Sequence, residues 1–147
     1  EPFALVSHPS LHIDPVVSIR QLAAVPLLVT SLHRGLVERQ LLPLGGRLNV
    51  RAEIDSVDSI RELVLHGPWA TVMPISVFKD PSAAGSVVIS EITGVQLNRL
   101  LVLAMRIESR DNASQLALKE IIEAEFTRLA RRGMFSFAAA VDAPAGA

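Results

Sequence analysis

The sequence predicts an α/β fold with a largely parallel sheet, and three observations carry that prediction. Short apolar runs of strand length alternate with segments whose apolar residues recur every three or four positions. The connections between them are short and hold turn or cap residues. The longest apolar run, residues 100–105 (LLVLAM), shows no polar alternation, the pattern of a strand covered on both faces.

In chain order, FALV (residues 3–6) reads as a short buried strand stopped by the His8-Pro9 turn. DPVVSIRQLAA is a loop leading into a helical turn at residues 19–23. Pro26 opens a strand at residues 27–29, and Thr30-Ser31 close it and cap the next helix. That helix carries Leu36, Val37 and Leu41 at helical spacing and ends at Pro43 and the Gly45-Gly46 turn.

RLNVRAEI alternates Leu48, Val50, Ala52 and Ile54 with polar residues, so it predicts a strand with one wet face. Asp55-Ser56 caps a helix with Val57, Ile60, Leu63 and Val64 on one stripe. Asp58 sits in its first turn, where the helix dipole favours an acid, and Gly67 is placed for a left-handed exit. ATVMP is a short buried strand ended by Pro74, and SVFKDPSAAGS is a loop or short helix. VVISEI and NRLLVLAMR are the last strands. Asp111-Asn112 then caps the longest helix, residues 114–132, with Leu118, Ile121, Ile122, Phe126 and Leu129 facing inward and Gly133 ending it. Residues 135–147 lack periodicity and read as a mobile tail.

Composition narrows the function. The chain of 147 residues is 50% apolar and 20% charged, with a net charge of −1. This suits a single soluble domain with a real core. Its arginines are scattered among acids, so the segment does not itself present the clustered cations that phosphate backbones require. It has no cysteine, hence no disulfide framework and no thiolate metal site, and a reducing cytoplasm is permitted. No apolar run approaches the roughly 20 residues of a membrane span. The start at Glu1 reads as a fragment or a processed chain.

The search for chemistry is mostly negative. His8, His12, His33 and His66 lack metal-ligand spacing and read as exposed or capping residues. The glycine-rich nucleotide fingerprints, GxSxG and HExxH do not occur. Neither a metal, a cofactor nor a catalytic residue is expected. An enzyme of this fold would have to rely on Asp55 and His33, which have no evident orienting partner. Binding is the better reading. In open α/β sheets ligands settle beyond the carboxyl ends of strands, where helix N-termini point. Thr30-Ser31, Asp55-Ser56 and Met73-Pro74 lie at such ends. Arg34, one turn further on, is a candidate charged contact or a solvated surface residue. Trp69 is expected to pack against the preceding helix.

The order PFALVSHPS, VVSIRQLAAVPLLVTS, GLVERQLLPLGGRLNVRAEIDSVDSIRELVLHGPWATVMP resembles the effector-binding domain of LysR-type transcriptional regulators. The return strand and long final helix, RLLVLAMR and SQLALKEIIEAEFTRLA, also fit that family, so the likeness runs from Phe3 to about Gly133. It implies a fold of the type 2 periplasmic-binding-protein kind, with two Rossmann-like subdomains, the first incomplete in this chain, and a small effector in the cleft between them. Residues 1–24 would be a remnant of the first subdomain and 25–92 the second. Residues 93–134 would return to the first with the C-terminal helix. Carried over position by position, the effector site would be bordered by Thr30 and Ser31 on one side and Met73 and Pro74 on the other.

The resemblance also implies partners. A small-molecule effector would control DNA binding through a winged helix-turn-helix absent from this chain, in a cytoplasmic homo-oligomer with no membrane attachment. The sequence departs from the family where its common glycine-x-glycine reads GPW: Gly67 matches and Trp69 replaces the second glycine, adding bulk beside the inferred cleft. The alternative of another class is an extracytoplasmic solute-binding protein of a transporter, which shares the general architecture.

Overall fold

A computed structural model describes residues 1–106 and 112–137. The chain divides into two units, Glu1–Arg99 and Leu100–Ala147.

The first unit is an α/β layer structure around one mixed six-stranded sheet. Its strands are β1 (Phe3–Ser7), β2 (Val16–Ser18), β3 (Pro26–Val29), β4 (Asn49–Glu53), β5 (Ala70–Pro74) and β6 (Val88–Thr93), in the order β2-β6-β1-β5-β3-β4. β3 runs parallel to β4 and β5, and β2 parallel to β6. β1 is antiparallel to both its neighbours, β5 and β6. The helices are α1 (Ile19–Leu22), α2 (Ser31–Leu41), α3 (Val57–His66) and α4 (Lys79–Ala83), with a 3-10 turn at Ile75–Phe78 directly after β5.

Alternation along the strands gives the sheet two buried faces. Phe3, Leu5, Leu27, Val29 and Val72 join Leu22 of α1 and Val37 and Leu41 of α2 in one core. The intervening Ala4, Val6, Leu28 and Met73 are buried as well. α3 packs on β5 and the Ile75–Phe78 turn on β1, burying Ile60, Val64, Ile75 and Phe78. β1 and β5 are consequently buried along their whole length, as strands at the centre of a covered sheet must be.

Several expectations need correcting. β1 pairs with β5 across five rungs, from Phe3 opposite Pro74 to Ser7 opposite Ala70, so residues 3–7 share one sheet with β3, β4 and β5. The sheet is mixed rather than largely parallel because β1 enters it reversed. The sequence predicts a loop at β2; with three residues it is too short for a periodicity signal, and its pairing with β6 makes it a strand. Gly67 leaves α3 in extended conformation (φ −149°), not left-handed. A side chain there would still meet the Trp69 ring, 3.1 Å from the Cβ position.

In the second unit, residues 100–105 form no strand. Leu100 and Val102 are 87% and 74% exposed. A strand requires a hydrogen-bonding neighbour, and the described residues of this unit contain no other extended pair. α5 (Ala113–Arg131) starts at Asn112, whose side chain accepts from the amides of Ser114 and Gln115. Its apolar stripe is not buried: Leu118, Ile121 and Phe126 are exposed. Phe126 lines an open apolar groove of about 590 Å³ together with Leu101, Val102, Leu103 and Ile122. Asp111, expected as a cap, lies outside the described residues, as does the expected tail from residue 138 on.

Candidate functional site

The parallel run β4-β3-β5 places three strand ends on one edge of the sheet. Val29 accepts a hydrogen bond from the amide of Ile54, 2.8 Å, so the ends of β3 and β4 are level. Thr30 follows β3, Asp55 follows β4, and Met73-Pro74 close β5. Phe3, opposite Pro74, brings the start of β1 to the same edge.

Thr30 is the N-cap of α2. Its backbone is extended and its hydroxyl accepts from the His33 amide at 3.0 Å, as a helix start with four unpaired amides requires. Ser31 turns outward. Its amide (2.8 Å) and hydroxyl (2.6 Å) both donate to Asp55 Oδ1. Asp55 was expected to cap its own helix; Ser56 does that instead, accepting from the Ser59 amide at 3.2 Å. The two bonds from Ser31, led by the hydroxyl, hold the Asp55 carboxyl below the ordinary carboxylate range.

Arg34 is not a free cation. Its guanidinium lies 3.2 Å from Glu38 and 3.2 Å from Glu53, which raise its affinity for the proton. On the β5 side, Met73 is fully buried, so its side chain contributes to the core and only its backbone and Pro74 reach the edge. The turn after Pro74 receives a carboxylate. Glu1 Oε1 accepts from the Ser76 amide at 2.9 Å, while Oε2 accepts from Arg99 Nε at 2.8 Å. Burial raises the Glu1 pKa, but the bonds from Ser76 and Arg99 together outweigh it and hold the group below its usual value.

His33 links the two borders. It is buried, its ring stands edge-on to Phe3 with centroids 5.8 Å apart, and its Nδ1 has no hydrogen-bond partner. Burial, seconded by the charge of Arg99, lowers its pKa and favours the neutral imidazole. The sequence predicts an exposed or capping histidine here, and the structure buries it. The signal that places it inside is its spacing: 33, 37 and 41 are four apart, and Val37 and Leu41 are the other buried positions of α2.

The structure thus brings Thr30, Ser31 and Pro74 to one edge, with Met73 beneath it. It removes Trp69, which precedes β5 at the opposite edge. There the ring lines a cavity of about 400 Å³ with Leu11, Pro26, Asn49, Arg51 and Pro68. Among the described residues no group of three or more His, Asp or Glu side chains is arranged to hold a metal ion, and no helix is long and apolar enough to cross a membrane.

Comparison with known proteins accords with this architecture. Residues 1–127 match the model of the LysR substrate binding domain. No curated protein sequence matches. Among solved structures, the regulatory domain of MetR, a LysR family regulator from N. meningitidis, superposes with a TM-score of 0.63 at 19% identity, covering 86% of this chain and 61% of that one. The regulatory domain of MexT, a transcriptional activator in Pseudomonas aeruginosa, gives 0.58 at 14%, covering 84% and 62%. The effector binding domain of QuiR, solved in complex with shikimate, gives 0.55 at 13%, covering 87% and 62%. The chain therefore spans about three-fifths of the length of these solved domains.

Proposed function

Because the chain belongs to the LysR substrate binding domain family, we propose that the edge bordered by Thr30, Ser31, Met73 and Pro74 takes up a small-molecule effector. In this reading the domain reports its occupancy to a DNA-binding winged helix-turn-helix elsewhere in the same cytoplasmic, homo-oligomeric regulator. The mechanism is a population shift: an effector that binds one arrangement of the regulator better than another changes the balance between them by its differential affinity, and no more.

The observation that carries the reading is the convergence at one edge of a capped helix start, two level strand ends and a buried, unpaired imidazole nitrogen. A buried polar atom without a partner costs free energy, and a ligand group is one way to recover it. That the similar QuiR domain holds shikimate supports a small molecule as the ligand class. The role is binding without catalysis. Asp55 is held by Ser31, and among the described residues it shares no hydrogen bond with His33, so no acid–base pair is assembled.

The test is calorimetric titration of the complete regulator with its effector, in wild type and with Ser31→Ala and Thr30→Val. Loss of at least tenfold in affinity, about 1.4 kcal/mol, with DNA binding of the effector-free protein retained, is the expected result. Unchanged affinity in both variants places the effector elsewhere.

A further inference from the structure

The cavity at the opposite edge of the sheet is built where β3, β4 and β5 begin. Pro26 stands opposite Asn49 and Leu27 opposite Ala70, so Trp69, one residue before Ala70, lies level with Pro26 and Asn49. Trp69 is held on both sides. Its amide donates to the Gly67 carbonyl at 2.7 Å, and its carbonyl accepts from the His8 amide at 3.0 Å. The second bond ties in the turn Pro9–Leu11, and Leu11 lines the cavity. The indole uses the space that a side chain at Gly67 would fill, with Cδ1 3.1 Å from the Cβ position. Pro26 and Pro68 stiffen the same wall, because their rings fix φ.

A second and independent observation concerns Arg51. The register between β3 and β4 slips by one residue: Leu27 pairs with Val50, but Leu28 with Ala52. Arg51 is the extra residue of this bulge and has no partner on β3. Bulges are over-represented next to binding and active sites, where they re-aim a side chain, and the bulged side chain here lies on the cavity wall. β4 is the edge strand, and the Arg51 guanidinium has no hydrogen bond or ion pair among the described residues. Glu53, further along β4, is taken by Arg34 at 3.2 Å. Among the described residues the lining thus holds one unpaired cation, the neutral amide of Asn49 and no acid. The rest of the wall is apolar: Leu11, Pro26, Pro68 and Trp69.

We propose that this cavity is a second ligand site, remote from the effector edge, for a small carboxylate with a flat apolar body. Arg51 pairs with the carboxylate through charge-assisted hydrogen bonds, for which the planar guanidinium is shaped. Trp69 stacks on the body, and Leu11 and the two prolines enclose it. The cavity volume of about 400 Å³ lies within the span of about 300–1,000 Å³ over which ligand pockets range. An amine would meet Arg51 as a like charge.

The test titrates sodium benzoate, benzamide and sodium acetate at constant ionic strength into the isotope-labelled chain, following backbone amide and indole N–H resonances. Benzamide keeps the ring and drops the charge; acetate keeps the charge and drops the ring. In the wild type, benzoate shifts the Arg51 amide and the Trp69 indole at a half-saturating concentration at least tenfold below that of either other probe. Arg51→Gln raises the benzoate value to that of benzamide. Arg47→Gln, an equal change of net charge at an exposed arginine outside the lining, leaves it unchanged. Arg51 is exposed, so its replacement leaves the core intact. The proposal is overturned if benzamide or acetate binds as tightly as benzoate, if the two variants act alike, or if benzoate shifts no resonance at this cavity. Benzoate shifts confined to Ser31 and His33 overturn it as well, and leave the reading of the effector edge standing.

Discussion

Ser31 and Asp55, 24 positions apart, are joined by two hydrogen bonds to a single carboxylate oxygen, 2.8 Å from the Ser31 amide and 2.6 Å from its hydroxyl. The bond pair couples the ends of β3 and β4 and makes the first turn of α2 part of the strand edge. Its consequence is a low Asp55 pKa. A group whose folded pKa is depressed adds stability above its unfolded value and loses it as the pH falls through the folded one. Ser31→Ala removes the hydroxyl contribution, so the carboxyl titrates nearer its ordinary value of 3.8. The carbon chemical shift of the Asp55 carboxyl, followed from pH 6 downward, measures this directly.

His33 acts on the same acid side of the pH profile, but at higher pH. Burial and Arg99 lower its pKa, while Glu1 opposes them. The unfolded chain then binds the proton more readily than the folded one, so stability is full above the ordinary histidine value of 6.5 and falls as the pH drops below it. His33→Gln flattens this part of the profile, measured as the urea midpoint against pH between 5 and 8.

Leu5 lies fully buried in the middle of β1, whereas Leu100 is 87% exposed. Leu5→Ala is expected to cost about 2–5 kcal/mol and Leu100→Ala no more than about 0.5 kcal/mol. Urea unfolding followed by Trp69 fluorescence separates the two. Equal costs would mean that residues 100–105 are covered after all.

Two glycines predict changes of opposite sign. Gly35 lies inside α2 with nothing within 4 Å of its Cβ position, so Gly35→Ala stabilises by about 0.5–1 kcal/mol. Gly46 has Ile19 Cγ2 at 2.8 Å and Leu41 Cβ at 3.3 Å from the same position, so Gly46→Ala costs about 1–3 kcal/mol. Thermal unfolding of the two variants checks both signs.

What the sequence made legible was local. The Thr30 cap, the stripe of α3 and the short run of β5 are written in consecutive residues, and each appears within a residue or two of its expected place. What escaped was non-local. Nothing near Phe3 says that it will stand opposite Pro74, 71 positions on. Residues 100–105 have the composition of a buried strand, but composition does not supply the neighbour that would make them one. At the site, Thr30 and Ser31 were legible as cap residues. The use of Asp55 by Ser31, and of Glu1 by Ser76, depends on sheet order and could not be read from spacing.

The most direct measurement is a backbone-amide map of this chain against a library of small molecules, read for where the responding residues lie. Responses at Ser31, His33, Asp55 and Ile75, at the edge where β3, β4 and β5 end, are the predicted result. Responses confined to Arg51 and Trp69, around the cavity at the opposite edge, would contradict it.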